Sequence, residues 1–524
     1  MNKKFINIKT IYITLLILFS FSFNYYYANL GVFPIDTFAF FDTGYNILQD
    51  RHPFKDIWVT TGPLVDYLQS LFFKLFGLSW SSYVIHSSVL NAFITYFFFK
   101  TLVDLNFSEL FSFIYALGLG ALCYTISGTP FAYIHSYVFS LLTILIFFHC
   151  INFKSKKYFF LLPFVMSTAF LSMQNPSTFI NFVILTVLLI FFFKKKNRIY
   201  CYFFLAGSLS VVIIFILFLF TNEIPLENFI EQYILFPLSM GEYRVTGSEM
   251  AHISLSGRFT FRNIIGHFKF INIFLILLFF FSIKDLIKKN ISTRNLMINF
   301  SLVFIGVLLI FNQLITSNQT YIFSFIPFIA AFLHLYLDKR NFQNTYLKYF
   351  ILALTIFCVL KYHDVYNEKR KFMDLQNVDL TKAVDANILD PRLKGLKWIT
   401  PRYSNDPSKE ISLLKEAIQK INKDNRNKLV MTEYQFLSLI IEKNLYILNR
   451  WYTHDNISYP LDNHKYFAFY KEHINKIITD NNIAVAYTVG DVDFKNFKIY
   501  LKNICFNTFK INELTSINEF INCK

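Results

Sequence analysis

Eleven apolar runs, each close to the length of a membrane span, recur along the first 362 positions, and they constrain the fold more than any other feature of the chain. A helix needs roughly 20 apolar residues to cross about 30 Å of hydrocarbon. Lipid offers backbone polar groups no partners, so only helices and closed barrels span it. The runs fall near 10–29, 81–99, 108–127, 131–151, 157–173, 177–193, 200–221, 268–283, 296–315, 318–337 and 345–361. The first follows Lys3, Lys4 and Lys9 but lacks a small-residue cleavage site around Asn24–Tyr27, so it reads as a retained anchor rather than a signal peptide. With 54% hydrophobic residues and a mean hydropathy of +0.41, the surface is too apolar for a soluble protein of this length. The expected architecture is a polytopic α-helical membrane protein of about 11 spans, residues 1–362, followed by a small extracytoplasmic α/β domain, residues 363–524.

A formal charge of +16 raises nucleic acid as a partner, but the Lys and Arg residues cluster in short loops between apolar runs, where membrane orientation explains them. Nucleic acid is excluded on that ground. With the N-terminus cytoplasmic, eighteen Lys and Arg fall on the inner side and seven in the outer loops. An odd number of spans then puts the C-terminal region outside. The predicted location is the inner (plasma) membrane. Cys123, Cys150, Cys201 and Cys358 lie in or beside apolar runs and read as small buried hydrophobes. Cys505 and Cys523, in the outer region, are placed to close a terminal loop by a disulfide.

Between the first two strong spans lies the polar segment GVFPIDTFAFFDTGYNILQDRHPFKDIWVTTGP, Gly31 to Pro63. Asp36, Asp42, Asp50 and Asp56 stand in it at membrane height, where a carboxylate can take a proton from an acceptor or hold a metal ion. Asp50 reads as ordinary solvated loop. After Pro63, the segment LVDYLQSLFFKLFG sets Leu64, Leu68, Leu71 and Leu75 on one helical face and Asp66, Ser70 and Lys74 on another. It is too short to span, and its amphipathic pattern predicts a helix lying in the interface.

An early Asp, a Pro-containing stretch and an interfacial helix ending in LFG resemble the glycosyltransferase C superfamily, nearest in pattern to its protein mannosyltransferase-like and aminoarabinose transferase-like members. The matching residues are Asp36, then Tyr45, Ile47 and Leu48, then Gly62, Pro63, Leu64, Tyr67, Leu68, Phe72, Phe73, Leu75, Phe76 and Gly77. The motif covers about 45 residues. The resemblance implies that Asp36 is the catalytic acid-base residue, with a polyprenyl-phosphate sugar as donor. Asp42 would assist or bind the acceptor. Thr37 replaces the family's neighbouring Glu, so Asp56 is the candidate second acid, and a divalent cation has room as a cofactor though no metal-ligand spacing is evident. The acceptor would be an envelope glycan, lipid or protein.

Such a transfer needs cations to steady a departing lipid phosphate. His52 and Lys55 flank the acidic loop, and Arg244, Arg258 and Arg262 lie in the long loop from Asn222 to His267, where a guanidinium can bind phosphate bidentately. Gln174 and Asn175 precede Pro176 in a short turn at membrane height and could line a substrate cavity. His86 and His135, on separate apolar runs, read as hydrogen-bonded packing residues. A transporter or flippase of lipid-linked saccharides is the competing reading, weakened by the scarcity of acids and bases at span centres. A structural assembly subunit is the third.

Beyond the last run, Asp406 and Pro407 mark a helix start followed by Ile411, Leu414, Ile418 and Ile421 at helical spacing. Apolar runs at 429–431, 445–448 and 483–488 alternate with helical stretches at 433–442 and 464–479, the order of a small α/β domain. The stretch from Arg450 through Trp451 to His454 is a candidate for stacking on a sugar ring.

Overall fold

The computed structural model describes residues 8–246, 255–316, 321–340, 345–441, 444–454, 456–502 and 504–523. Each of the eleven apolar runs forms a helix. Among the described residues nine helices are long and apolar enough to cross a membrane: Ile8–Ala28, Trp80–Asp104, Ala132–Phe153, Gln174–Phe193, Lys195–Thr221, Lys269–Ile287, Thr293–Thr316, Tyr321–Lys339 and Thr345–Met373. The runs at 108–127 and 157–173 give the shorter helices Glu109–Leu122 and Lys156–Ser172, of 14 and 17 residues. At 1.5 Å per residue these reach about 21 and 26 Å, less than the hydrocarbon thickness.

Hydrophobicity cannot sort helices that all sit in lipid, so small and polar residues set their packing. Asn24 Nδ2 donates to Ser87 Oγ at 3.1 Å, Ser88 Oγ at 3.0 Å and the Gly128 carbonyl at 3.1 Å. Asn91 Nδ2 donates to the carbonyls of Ser20 and Gly120, both at 2.9 Å. These bonds tie Ile8–Ala28, Trp80–Asp104 and Glu109–Leu122 into one unit. Gly128 is required at its position, since its φ is +77° and a Cβ would lie 2.6 Å from the Ala28 Cα.

The segment between the first two long helices is folded rather than a solvated loop. It runs through the short helices Pro34–Thr37 and Phe41–Ile47, a tight turn at 52–57, and the helix Leu64–Phe76. In that last helix Leu71, Leu75 and Phe76 are exposed, while Val65, Asp66, Gln69, Ser70 and Phe73 are buried. The leucine face therefore looks out, and of the polar face Asp66 and Ser70 are turned into the protein while Lys74 stays exposed. This is the inverse of a soluble amphipathic helix, and it suits an element whose apolar side meets lipid.

Past the regular helix Thr345–His363 a connector is pinned by Arg370, fully buried, which donates to the carbonyls of Leu30 (3.2 Å), Thr125 (3.1 Å) and Ser127 (3.2 Å). The C-terminal domain holds a five-stranded sheet in the order Leu445–Tyr446, Lys428–Thr432, Val485–Val489, Thr515–Asn522, Ile504–Lys510. The first three strands are parallel and the last two antiparallel. The helix Pro407–Lys423 starts as its sequence predicts, with the Asp406 carboxylate accepting from the Lys409 amide at 3.0 Å, and it buries Ile411, Leu414, Ile418 and Ile421. The terminal hairpin was not evident from the apolar runs, because its strands are half polar and mostly exposed along Ile504–Lys510. Cys505 and Cys523 close it in a disulfide.

Domain and loop share a single core. Phe38, Phe41, Trp80 and Tyr83 pack with Trp398, Leu414, Tyr434 and Phe436 in one buried cluster. Phe38 lies 4.8 Å from Phe436 and 5.9 Å from Trp398, ring centroid to ring centroid. Two bridges, Leu30 to Lys397 and Trp58 to Asn449, add backbone pairing across the same seam.

Candidate catalytic site

Asp36 lies on this seam. Pro34 opens the turn Pro34–Thr37, and the N–H of the preceding Phe33 donates to Thr37 Oγ1 at 2.8 Å. Trp451 of the domain reaches across and its indole N–H donates to the Ile35 carbonyl at 2.9 Å, beside the Asp36 carboxyl. Asp36 is half-buried. Burial pushes its pKa up from 3.8 to about 7; the Trp451 indole works against the shift and the nearby charge of Asp374 adds to it. Asp374, exposed and at φ +55° in the connector, is thus the second acid at this place. A carboxylate that titrates near neutrality is suited to take a proton from a hydroxyl acceptor.

Asp42 takes a different direction. It is 1% exposed and points at the start of the domain helix Leu437–Ile441, accepting from the Ser438 amide at 3.3 Å, while its own amide donates to the Gln435 carbonyl at 3.0 Å. Burial raises its pKa to about 7, opposed by bonds from Ser438 and Leu439. It acts as a strut between loop and domain.

Asp56 folds back on its own turn, accepting from the His52 amide at 2.8 Å. Burial raises its pKa, and the His52 amide and Lys55 oppose the rise. His52 Nδ1 is 2.9 Å from the Tyr67 hydroxyl, and burial lowers its pKa. Lys55 pairs with Glu223 at 2.9 Å on the surface. Gln174 Nε2 donates to the carbonyls of Thr60 (3.1 Å) and Tyr233 (2.7 Å), so it staples the loop to the segment after the helix Arg198–Thr221. Asn175 is half-buried at the kink before Pro176. Arg258 is buried and donates to the Ile315 carbonyl at 2.6 Å, whereas Arg262 is exposed. Arg244 falls in the helix Phe236–Thr246, with its side chain outside the described residues. The structure therefore brings Asp36, Asp374 and Trp451 together, and groups His52, Lys55 and Asp56 in a separate corner.

Beneath the seam lies an ion pair that sequence inspection missed. Arg450 Nη2 sits 2.6 Å from both carboxylate oxygens of Asp66, and both side chains are 0% exposed. Thr43 donates to Asp66 and Arg450 to Thr61, and the guanidinium stacks 4.3 Å over the Phe40 ring. Burial disfavours both charges, and each is held by the other. The signal was present: a lone Arg in the run LYILNRWY is rarely buried unless paired. Below it, Gln69 Oε1, His86 and His135 form a chain, with His86 Nδ1 2.9 Å from Gln69 and His86 Nε2 3.0 Å from His135 Nε2. Helical spacing could not reveal this pair, because the two rings come from different helices. Among the described residues no group of three or more His, Cys, Asp or Glu side chains is placed to share a metal ion.

No family model and no curated protein matches the sequence. Among solved structures the chain is similar to ArnT from Cupriavidus metallidurans in the apo state, with a TM-score of 0.48 and 8% identity over 98% of each chain. It is also similar to ArnT from the same organism bound to undecaprenyl phosphate, with a TM-score of 0.46 and 11% identity over 97% of each chain.

Proposed function

We propose that this chain is a membrane glycosyltransferase that moves a sugar from a polyprenyl-phosphate carrier to a cell-envelope acceptor, with Asp36 as general base. The carrying observation is a half-buried carboxyl, raised to about 7, at the seam between membrane bundle and domain and beneath an aromatic side chain. In this reading residues 1–362 bind the carrier and residues 363–524 cover the site. The N-terminus lies in the cytoplasm and the domain outside. The disulfide between Cys505 and Cys523 fits an oxidising compartment.

In the reaction Asp36 accepts the proton of an acceptor hydroxyl as its oxygen attacks the anomeric carbon. The bond from that carbon to the phosphate oxygen breaks, and the polyprenyl phosphate departs as an anion. Trp451 offers a face for a sugar ring, and burial, with the charge of Asp374 adding to it, keeps the Asp36 pKa high so that it matches the working pH. Of the long loop's arginines whose side chains are described, Arg258 is engaged by the Ile315 carbonyl and Arg262, exposed, would reach a lipid phosphate once substrate is bound.

The test is mass spectrometry of envelope glycans and lipid-linked sugars in cells with wild type, Asp36→Asn or no protein at matched expression. If Asp36→Asn matches the deletion, with one sugar missing from an acceptor and its lipid-linked donor accumulating, the reading stands. A deletion phenotype absent from Asp36→Asn would remove Asp36 as the base and favour transport of the lipid-linked sugar.

A further inference from the structure

Three lysines stand together where the bundle meets the C-terminal domain. Lys269 opens the helix Lys269–Ile287, Lys361 lies in the last turn of Thr345–His363, and Lys371 opens the turn Lys371–Met373 in the connector. The ammonium groups of Lys269 and Lys361 are each 5.1 Å from the centroid of the Phe270 ring, so they lie no more than about 10 Å apart. Lys361 and Lys371 both bear on His267, whose pKa is lowered first by burial and then by these two charges. All three lysines are exposed, and among the described residues none forms a salt bridge.

Two acids of the same stretch are already paired, and the third, Asp374, is exposed with its charge bearing on Asp36. Asp364 pairs with Lys369 at 2.6 Å, and Glu368 is held by His363 at 3.6 Å and by the Tyr27 hydroxyl. His267 Nε2 is closed off from solvent and has no hydrogen-bond partner among the described residues. The floor is aromatic: Phe270 is 5.9 Å from Phe357 and 6.4 Å from Tyr362. Just below, Phe357 and Leu360 are exposed along the membrane helix. Clustered like charges repel, and three lysines with no ion-pair partner among the described residues, outnumbering the one unpaired acid beside them, call for an anion at the rim of a bilayer.

We infer that Lys269, Lys361 and Lys371 seat the phosphate of an anionic bilayer phospholipid, with His267 beside the headgroup and one acyl chain along Phe270 and Phe357. The site is separate from the Asp36 chemistry and does not depend on it. It would fix the connector, which carries Asp374, against the bilayer surface.

The test uses the full-length protein purified in mild detergent and examined by native mass spectrometry with phosphatidylglycerol, phosphatidylcholine, a polyprenyl phosphate or inorganic phosphate added. Each lysine near a lipid surface is worth about 1 kcal/mol, so K269Q/K361Q/K371Q should weaken phosphatidylglycerol binding on the order of 100-fold. K269R/K361R/K371R should keep it, as should the control K194Q/K195Q/K196Q, and phosphatidylcholine and inorganic phosphate should bind poorly to all. A circular dichroism melt unchanged from wild type shows that the Gln variant is folded. Equal phosphatidylglycerol binding by wild type and the folded Gln variant would overturn the inference. So would a lysine-dependent binding of polyprenyl phosphate without phosphatidylglycerol, which would assign the cluster to the donor carrier instead.

Discussion

The Arg450–Asp66 pair is the contact whose removal has the best-defined cost. Both side chains are fully buried and joined by two 2.6 Å bonds, and they link the interfacial helix to the domain across 384 residues of sequence. Removing one partner of such a pair costs about 3–5 kcal/mol, because the other charge stays buried. Arg450→Met also loses the stacking on Phe40, about 1 kcal/mol more. The two single variants should differ in pH dependence. In Arg450→Met the stranded Asp66 can take a proton, since burial already raises its pKa, so the deficit shrinks from pH 8 to pH 5. In Asp66→Asn the stranded guanidinium cannot discharge, and the deficit stays. The double variant Asp66→Asn/Arg450→Met should be less damaged than the sum of the singles by about 2–3 kcal/mol. All four tryptophans report on the seam, since Trp58, Trp80, Trp398 and Trp451 each belong to or pack against a cluster that joins loop and domain. Denaturant titration in detergent, followed by intrinsic fluorescence, therefore reads the seam directly. Additive costs within about 0.5 kcal/mol, or single costs below about 1 kcal/mol, would refute the reasoning.

Further outcomes follow from single positions. Asp42 has a folded pKa of about 7 against 3.8 unperturbed, so its contribution is fully present below pH 3.8 and is lost as pH rises through 7. That loss amounts to about 4 kcal/mol, and the stability gap between Asp42→Asn and wild type should widen in favour of the variant between pH 5 and pH 8 in thermal melts. Gly62→Ala should cost more than about 2 kcal/mol, measured as lost folded yield in detergent, because a Cβ would lie 1.8 Å from the Leu171 carbonyl oxygen. Replacing Cys505 and Cys523 by Ser should destabilise the domain by about 3 kcal/mol in the same denaturant titration, from the lost closure of an 18-residue loop.

The membrane helices were legible because a run of about 20 apolar residues says span whatever its neighbours are. The helix Pro407–Lys423 was legible for a local reason too, its Asp-Pro start and 3.6-residue periodicity. The seam was not. The pattern sets Asp66 and Ser70 on the polar face of an interfacial helix but does not say what that face meets; lipid takes the apolar side, and the folded protein covers Asp66 and Ser70. Asp36 was picked out by resemblance, but its raised pKa comes from burial near Trp451 and from Asp374, more than 330 positions away. Asp42 carried no local mark of a strut, since its partner is a backbone amide of a helix that any sequence provides. Residue type alone makes Arg258 a candidate phosphate ligand, while its guanidinium is engaged by the carbonyl of Ile315 at a helix end.

The most direct test of the central claim is the pH–rate profile of sugar transfer by purified protein, with a polyprenyl-phosphate sugar as donor and an envelope extract as acceptor. A general base works when deprotonated, so the wild-type rate should rise with pH and reach half its maximum near pH 7. Asp36→Asn should lose the rate by about 10²- to 10⁴-fold and lose that limb with it. A wild-type profile flat between pH 5 and pH 8, or an Asp36→Asn variant that transfers sugar at the wild-type rate, would contradict the account.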